Sequence, residues 1–152
     1  MHDMKLLIDT NIILDAMINR EPWAEDAQNV ILAIAEEKAE GYITASSVTD
    51  IYYILFKHIK NRDQVKQALL GLLTVINVFD VNETDCVEAF SVHMSDYEDA
   101  LLASCGKRHK VDRIVTRNIK DFTGSPIQAV EPHEILKYLC ECIDHTESNN
   151  KQ

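Results

Sequence analysis

The stretch Lys5-Leu6-Leu7-Ile8-Asp9-Thr10-Asn11-Ile12-Ile13-Leu14-Asp15 decides the predicted fold. Leu6, Leu7 and Ile8 are a continuous apolar run, so residues 5–8 are predicted to form a strand that is covered on both faces of a sheet. Asp9-Thr10-Asn11 ends this run, and a helical segment is predicted over residues 12–18. A buried strand that leads directly into a helix indicates an α/β domain.

Strands and helices alternate along the rest of the chain. Further strands are predicted at 42–44, 75–79 and 114–116, and residues 127–130 are a candidate fifth strand. Further helices are predicted at 24–38, 47–60, from Asp63 to about Leu73, near 82–93, near 97–108, and from Pro132 to about Ile143. Because no hairpin turn signal is present, this order predicts a parallel sheet of four or five strands with helices on both faces. We expect one domain over residues 1–143 and a polar C-terminal tail over 144–152.

Composition limits the classes of protein to which the chain can belong. Fifteen Lys and Arg against 25 Asp and Glu give a net charge of −10, which argues against tight nonspecific binding to a phosphate backbone. A nucleic-acid substrate is still compatible with this charge, because a bound divalent cation can reverse the local field. No apolar run approaches the roughly 20 residues of a membrane helix, and the N-terminus lacks a signal-peptide core. We therefore predict a cytoplasmic protein, with Cys86, Cys105, Cys140 and Cys142 as free thiols.

Acidic and amide side chains lie next to the predicted ends of several strands. Asp9 directly follows the first strand, Asp50 is placed in the first turn of the helix after the second, and Asp99 in the first turn of the helix before the fourth. Asn118 and Asp121 follow the fourth strand. Ligands of open α/β sheets bind beyond the carboxyl ends of the strands. The sequence thus predicts that these side chains gather at one edge of the sheet.

Each acid also has a second explanation, as a helix cap. Asp9 is well placed as an N-cap, because Asp is favoured there. Ser47 and Asp50 have the three-residue spacing of a capping box, and Asp96 and Asp99 have it too. Acids in a first helical turn are also stabilised by the helix dipole. Taken singly, each acid fits either role, as a helix cap or as a ligand. Only the prediction that all of them point to one edge of the sheet favours a ligand-binding site.

A group of converging carboxylates favours a hard divalent cation. Like charges that lie close together raise one another's pKa, and a bound cation relieves this repulsion. Ligands that are all oxygen favour Mg²⁺ or Mn²⁺, whereas zinc prefers His or Cys. The six His show no ligand spacing, and no Gly-rich phosphate loop is present. A site of this kind can activate water for phosphodiester hydrolysis.

Two other groups of residues bear on contact with RNA. The stretch from Lys107 to Lys120 contains six basic residues and only one acid, Asp112. It is either a solvated face or a guide for phosphates. The aromatic residues Tyr52, Tyr53 and Phe56 lie in an apolar helix. We expect them in the core or in a dimer contact rather than as platforms for base stacking.

Three segments resemble the motifs of the PIN domain family. Leu7-Ile8-Asp9-Thr10-Asn11-Ile12-Ile13-Leu14-Asp15 resembles its opening motif, and Asp96-Tyr97-Glu98-Asp99-Ala100-Leu101-Leu102-Ala103 resembles its central acidic motif. Ile114-Val115-Thr116-Arg117-Asn118-Ile119-Lys120-Asp121-Phe122 resembles its last motif, and the resemblance extends over about residues 4–136. It implies a three-layer α/β/α fold and a metal-dependent ribonuclease, often the toxin of a toxin–antitoxin pair and often a dimer.

The resemblance also implies roles for individual residues. Asp9 and Asp99 correspond to metal ligands, and Asp50 stands at a middle acidic position where Glu is more usual. Asn118 stands where many members have an acid, so Asp121 is the alternative ligand for a second Mg²⁺ or Mn²⁺. The residues expected to support the first carboxylate by hydrogen bonding are Thr10 and Asn11.

Two functional hypotheses follow. In the first, the chain is an endoribonuclease in which Asp9, Asp50, Asp99 and Asn118 form the catalytic site. Hydrolysis would then leave a 3′-hydroxyl and a 5′-phosphate, as the resemblance implies. The residues expected to place the RNA phosphates are Lys107, Arg108, Arg117 and Lys120. In the second hypothesis, the chain is a PIN-like module without catalysis that acts through a protein partner, which the net charge and the neutral Asn118 favour.

Overall fold

A five-stranded parallel sheet forms the centre of the protein. The computed structural model describes residues 3–149, and it describes side chains as far as residue 141. The strands are β1 (Lys5–Ile8), β2 (Glu40–Thr44), β3 (Asn77–Phe79), β4 (Arg113–Val115) and β5 (Ala129–Val130). Every neighbouring pair is parallel, and the spatial order is β3-β2-β1-β4-β5. The predicted parallel sheet is confirmed, with β1 at its centre.

Helices cover both faces of this sheet. They are α1 (Thr10–Met17), α2 (Ala24–Ala35), α3 (Ala45–Ile59), α4 (Arg62–Leu73), α5 (Glu83–Glu88), α6 (Tyr97–Arg108) and α7 (Pro132–Asn149). Alternation along β1 divides the core in two, because successive side chains of a strand point to opposite faces. Leu6 and Ile8 pack in a cluster with α1–α4 and α7, whereas Leu7 packs in a second cluster with α6. The three-layer α/β/α fold is therefore confirmed.

Several element boundaries differ from the predicted ones. The second helix ends at Ala35 rather than at 38, because Glu37 has a left-handed backbone (φ 60°) that cannot continue a helix. The single helix predicted near 82–93 is divided into α5 and a 3₁₀ turn, Ala89–Ser91. The last helix runs beyond the predicted end to Asn149, and residues 150–152 of the predicted tail lie outside the described part.

The helix after β2 begins earlier than predicted, and this moves a candidate site residue. Thr44 is the N-cap of α3, so the helix begins at Ala45 rather than at 47. Asp50 therefore lies in the second turn of α3 and not in its first. Ser47 is inside the helix, where its hydroxyl shares a 2.8 Å hydrogen bond with the hydroxyl of Thr44. The capping-box explanation for Ser47 and Asp50 is therefore wrong.

Two expectations from composition concern membranes and thiols. None of the helices in the described part of the chain is long and apolar enough to cross a membrane. Cys86, Cys105 and Cys140 are free, and the side chain of Cys142 lies outside the described residues. Burial raises the pKa of the Cys105 thiol to about 11, so this thiol stays protonated at neutral pH.

Candidate metal centre and active site

The candidate site lies where the two halves of the sheet diverge. From the central strand β1, the chain adds β2 and β3 on one side and β4 and β5 on the other. The pairing of β1 with β4 ends at Ile8 and Val115, and the Asp9 N–H continues it by donating to the Val115 carbonyl at 3.0 Å. A point where the strand order reverses opens a crevice at the carboxyl ends of the strands. Asp9 lies at this crevice.

The Asp9 carboxylate is held by the segment after β4. The side chain is only 9% exposed, and its Oδ2 accepts a 2.9 Å hydrogen bond from Thr116 Oγ1. Thr116 Oγ1 in turn accepts from the Asn118 N–H at 3.1 Å. Asp9 does precede α1 as its N-cap residue, but its side chain forms no capping hydrogen bond to the described residues of that helix. Burial raises the pKa of Asp9, although the bond from Thr116 opposes this rise.

Asp99 faces the same crevice from the first turn of α6. The cap of this helix is Asp96, whose Oδ1 accepts from the Asp99 N–H at 3.0 Å. Because Asp96 is the cap, the Asp99 carboxylate is available for a role other than capping. Burial and then the negative charges of Asp9, Asp96 and Asp121 raise the pKa of Asp99 to about 7. Because these neighbouring charges raise the pKa of Asp99, the carboxylates lie close enough to repel one another.

A fourth acid, Glu98, belongs to the cluster and was not among the predicted site residues. Burial raises its pKa, and so do the charge of Asp50 and a hydrogen bond with it. Asp50 itself is exposed on α3. Glu98 directly precedes Asp99 in the acidic motif, but adjacent helix positions point about 100° apart, so the sequence pattern did not indicate that both side chains reach one site.

The structure brings five of the seven predicted catalytic, metal-binding and supporting residues to one cleft of about 510 Å³. Its lining consists of Asp9, Thr10, Asn11, Asp50, Tyr53, Ile54, Lys57, Glu98 and Asp99. Asn118 and Asp121 do not line the cleft wall. Asp121 is nevertheless near, because its charge raises the pKa of both Asp9 and Asp99. Asn118 contacts the site through its backbone bond to Thr116.

The predicted basic residues are placed differently from one another. Lys107 and Arg108 lie in the last turn of α6, about 12–14 Å along the helix from Asp99. Arg108 is also engaged there, because its Nε donates to Asp85 at 2.8 Å. These two side chains lie too far from the acidic cleft to hold the phosphate that is cut.

Arg117 is near the cleft but is held in the protein. Its Nε donates to Oδ2 of the fully buried Asp15 at 2.8 Å, and its guanidinium lies 4.0 Å from the centre of the Trp23 ring. A guanidinium used in this way has few donors left for RNA. Lys120 is exposed in the 3₁₀ turn Ile119–Phe122, beside Asp121. Of the four predicted basic residues, Lys120 is the one that keeps a position suited to RNA.

Tyr53 also departs from expectation. Ile51 and Leu55 of α3 are fully buried, but Tyr53 is 59% exposed and lines the cleft. Tyr53 therefore does not lie in the core, because the buried face of α3 is narrower than its apolar sequence indicated. The other expected position, a dimer contact, stays a prediction. Lys57, one turn farther along, lines the cleft as well.

The donor set of the cleft fits a hard cation in its chemistry. Asp9 and Asp99 offer carboxylate oxygens, and their mutual repulsion would be relieved by a positive ion. In the part of the chain that the structure describes, no three His, Cys, Asp or Glu form a ready-made metal-binding group. Mg²⁺ is commonly held by one or two carboxylates and keeps several waters. Two direct protein ligands, with Asp50 acting through water, are therefore compatible with Mg²⁺ or Mn²⁺.

Comparison with known proteins identifies the family. A family model described as "PIN domain" matches residues 5–120, which is most of the chain. The chain belongs to the PIN domain family. The three motifs that suggested this family lie in or next to the matched region, and they supply Asp9, Asp99 and Asn118. Among curated protein sequences, none matches this PIN domain.

Solved structures share the fold of this PIN domain. VapBC2 from Rickettsia felis, bound to a DNA fragment from the promoter, has 20% identity and a TM-score of 0.67 over 84% of this chain and 98% of that one. A toxin–antitoxin complex from Klebsiella pneumoniae has 20% identity and a TM-score of 0.62 over 84% and 97%. VapC20 from Mycobacterium tuberculosis, a toxin that cleaves the sarcin–ricin loop, has 15% identity and a TM-score of 0.58 over 72% and 86%. At these identities the likeness concerns the fold.

Proposed function

We propose that this PIN domain is a Mg²⁺- or Mn²⁺-dependent endoribonuclease. The observation that carries the proposal is the convergence of Asp9 and Asp99, 90 positions apart in the sequence, on one cleft at the point where the strand order reverses. Neither carboxylate is used as a cap, so both are available as ligands. Membership of the PIN family and the fold shared with a toxin that cleaves the sarcin–ricin loop support the same activity.

The residues of the cleft have different roles in the proposed hydrolysis. Asp9 and Asp99 would hold the metal, and Thr116 fixes the Asp9 carboxylate for this role. Bound there, the metal would lower the pKa of a water and offset the charge on the leaving oxygen. Asp50, exposed on the facing helix, would orient the attacking water. This water forms the new bond to phosphorus, the bond to the 3′ oxygen breaks, and the products carry a 5′-phosphate and a 3′-hydroxyl.

Thr10, Asn11, Asn118 and Asp121 have supporting roles in this proposal. Thr10 and Asn11 line the cleft beside Asp9, where they can donate hydrogen bonds to water or phosphate. Asp121 would serve a second, weaker metal position, because Asn118 is neutral; Asn118 contacts the site through the bond from its backbone N–H to Thr116 Oγ1. Lys120 would contact an RNA phosphate at the margin of the site.

We further propose that the protein acts in the cytoplasm as the toxin of a toxin–antitoxin pair. The fold shared with the Klebsiella toxin–antitoxin complex and with the Rickettsia VapBC2 complex supports this proposal. Its partners would be an RNA substrate, an antitoxin protein and, in a homodimer, a second copy of the chain.

Product analysis tests the proposed chemistry. Purified protein is incubated with an end-labelled RNA and Mg²⁺ or Mn²⁺, and the ends of the fragments are mapped enzymatically. Fragments with 5′-phosphates that disappear with a chelator support the proposal. Fragments with 2′,3′-cyclic phosphates would contradict it, because they arise from attack by the 2′-hydroxyl and not by water. Intact RNA under all metal conditions would favour the alternative of a binding module without catalysis, which the net charge of −10 and the neutral Asn118 also favour.

A further inference from the structure

One face of α3 forms a wall of the acidic cleft. Asp50, Tyr53, Ile54 and Lys57 all line the cleft, and their spacing of three, four and seven residues places them on one side of a helix. Along this face the helix rises about 10 Å from Asp50 to Lys57. The wall therefore runs from the acidic cluster outward, and it presents an acid, an aromatic ring and a cation in turn.

Lys57 is the cation of this wall. The other charged residues that line the cleft are the four acids Asp9, Asp50, Glu98 and Asp99. Lys57 is exposed, and it forms no ion pair with any residue whose side chain the structure describes. A lysine that lies near four carboxylates without pairing with them remains available to an anion. Its ammonium group is suited to a phosphate, which it contacts as a compact point charge.

Tyr53 is the aromatic ring of the wall. It lies one turn before Lys57 and is 59% exposed. Its ring meets the neighbouring Tyr52 ring edge to face, with centroids 5.4 Å apart and planes at 90°. This contact supports the ring while most of it remains open to solvent. Exposed aromatic side chains can serve as surfaces on which unpaired bases stack.

We propose that this wall of α3 binds single-stranded RNA and leads it to the acidic cluster. Lys57 holds a phosphate next to the one that is cut, and Tyr53 stacks on an unpaired base. A duplex does not fit this arrangement, because its bases are already stacked on one another and cannot reach the ring. The inference rests on the proposed ribonuclease activity, since it assigns the substrate of that same cleft.

Direct binding tests the surface independently of cleavage. The Asp99→Asn variant serves as the parent, because it removes one repelling charge and, under the proposed function, does not cut RNA. In this parent, Tyr53→Leu, Tyr53→Phe, Lys57→Gln and the control Lys66→Gln are compared. Lys66 is an exposed lysine of α4 and does not line the cleft. Binding of a fluorescent 12-nucleotide single-stranded RNA is followed by anisotropy at several salt concentrations.

The inference predicts a distinct pattern among these variants. Tyr53→Leu should weaken binding about tenfold, whereas Tyr53→Phe should bind like the parent because it keeps the ring. Lys57→Gln should weaken binding and reduce the slope of log K against log salt by about 0.7, as expected for the loss of one phosphate contact on a single strand. Lys66→Gln should leave both quantities unchanged. The same RNA as a duplex should bind equally weakly to all these proteins.

Failure of the inference and failure of the proposed function give different results. If Tyr53→Leu and Lys57→Gln bind RNA as the parent does, the wall of α3 is not the substrate surface, even if the wild-type protein cuts RNA. Equal weakening by Lys66→Gln would also overturn the inference, because it would show a general effect of charge. If single-stranded binding depends on Tyr53 and Lys57 but the wild-type protein never cuts RNA, the surface is supported and the proposed activity is contradicted.

Discussion

Thr116 Oγ1 donates a 2.9 Å hydrogen bond to Asp9 Oδ2 and thereby joins two residues that are 107 positions apart. Both residues lie directly after a strand, and the two strands are neighbours at the centre of the sheet. The same hydroxyl accepts the Asn118 N–H, so it cannot turn away without leaving that amide unpaired. A carboxylate that is nearly buried is thus held in one orientation before any ligand binds.

Replacing Thr116 with Val should test this relationship. Thr116→Val keeps the shape of the side chain but removes the donor to Asp9 and the acceptor for Asn118. We expect a loss of about 1.5–3 kcal/mol in the free energy of unfolding at pH 8, because a hydrogen bond to a charged and buried group is lost. Thr116→Ser, which keeps the hydroxyl, should lose much less. Urea denaturation measures both variants, and equal losses would show that packing of the methyl group, rather than the hydroxyl, matters here.

Replacing Asp99 with Asn should stabilise the protein when metal is absent. Asp99 is repelled by Asp9, Asp96 and Asp121, and its amide replacement removes this repulsion without changing its size. At pH 8 we expect a gain of about 1 kcal/mol, since water screens part of the repulsion at this half-buried site. The matched control is Asp63→Asn, an acid in the first turn of α4. That variant should instead lose a few tenths of a kcal/mol, because it gives up a favourable charge near the positive end of the helix.

Thermal unfolding in a chelator measures both of these variants. Destabilisation of the metal-free protein by Asp99→Asn would mean that the carboxylate has a structural role and is not held ready for a cation.

The raised pKa of Asp99 should make the stability of the metal-free protein depend on pH. The pKa of Asp99 is about 7 in the folded protein, above its ordinary value of 3.8. The folded state thus holds a proton that the unfolded state releases, and this contribution is full below about pH 4 and is lost as the pH rises through 7. Between pH 5 and pH 8 the wild-type protein should therefore become less stable in a chelator. Asp99→Asn should show a smaller decrease, limited to the contributions of Asp9 and Glu98, whose pKa values are also raised.

Added Mg²⁺ should reverse this trend at pH 8, where the carboxylates are ionised and can bind it. Unfolding curves at pH 5, 6, 7 and 8, with and without Mg²⁺, measure the effect. A wild-type stability that does not change over this range, or a stabilisation by Mg²⁺ that is as large at pH 5 as at pH 8, would contradict it.

Arg117 should be more important for stability than for contact with RNA. It pairs with the fully buried Asp15. Among the cations whose side chains the structure describes, only Arg20, at 3.7 Å, would remain beside that carboxylate if Arg117 were lost. Arg117→Ala should therefore cost about 3 kcal/mol, since it leaves a buried charge partly uncompensated. Lys120→Ala, at an exposed position three residues away, should change stability by less than about 0.5 kcal/mol. Chemical denaturation distinguishes them, and a neutral Arg117→Ala would show that the ion pair contributes little.

The sequence predicted the framework of the site but not all of its members. Lys5-Leu6-Leu7-Ile8 was recognisable as a buried strand, and the parallel order of strands then placed Asp9 and Asp99 at one edge. The predicted position of Asp50 was less accurate. Thr44, the last residue of β2, is also the N-cap residue of α3, so the helix begins earlier than its polar residues indicated. Local patterns cannot show how tightly a strand leads into a helix.

Contacts between distant segments were the part that could not be predicted. The partner of Arg117 is Asp15, 102 positions away, and no spacing in the sequence marks this pair. The basic stretch from Lys107 to Lys120 is continuous in the sequence. In the structure, Lys107 lies in the last turn of α6, whereas Lys120 lies in the 3₁₀ turn after β4. The exposure of Tyr53 was not predicted, because its apolar neighbours indicated a mostly buried helix, whereas one side of α3 faces the cleft.

Cleavage of RNA by the wild-type protein and by Asp9→Asn tests the central claim most directly. Both proteins are purified in the same way, checked for identical folding by circular dichroism, and incubated with single-stranded RNA in Mg²⁺ or in a chelator. The metal site predicts cleavage by the wild-type protein in Mg²⁺ only, and at least a hundredfold slower cleavage by Asp9→Asn, in line with the loss of a ligand or positioned charge at an active site. Equal cleavage by both proteins, or cleavage that persists in the chelator, would contradict the claim that Asp9 and Asp99 form a catalytic metal site.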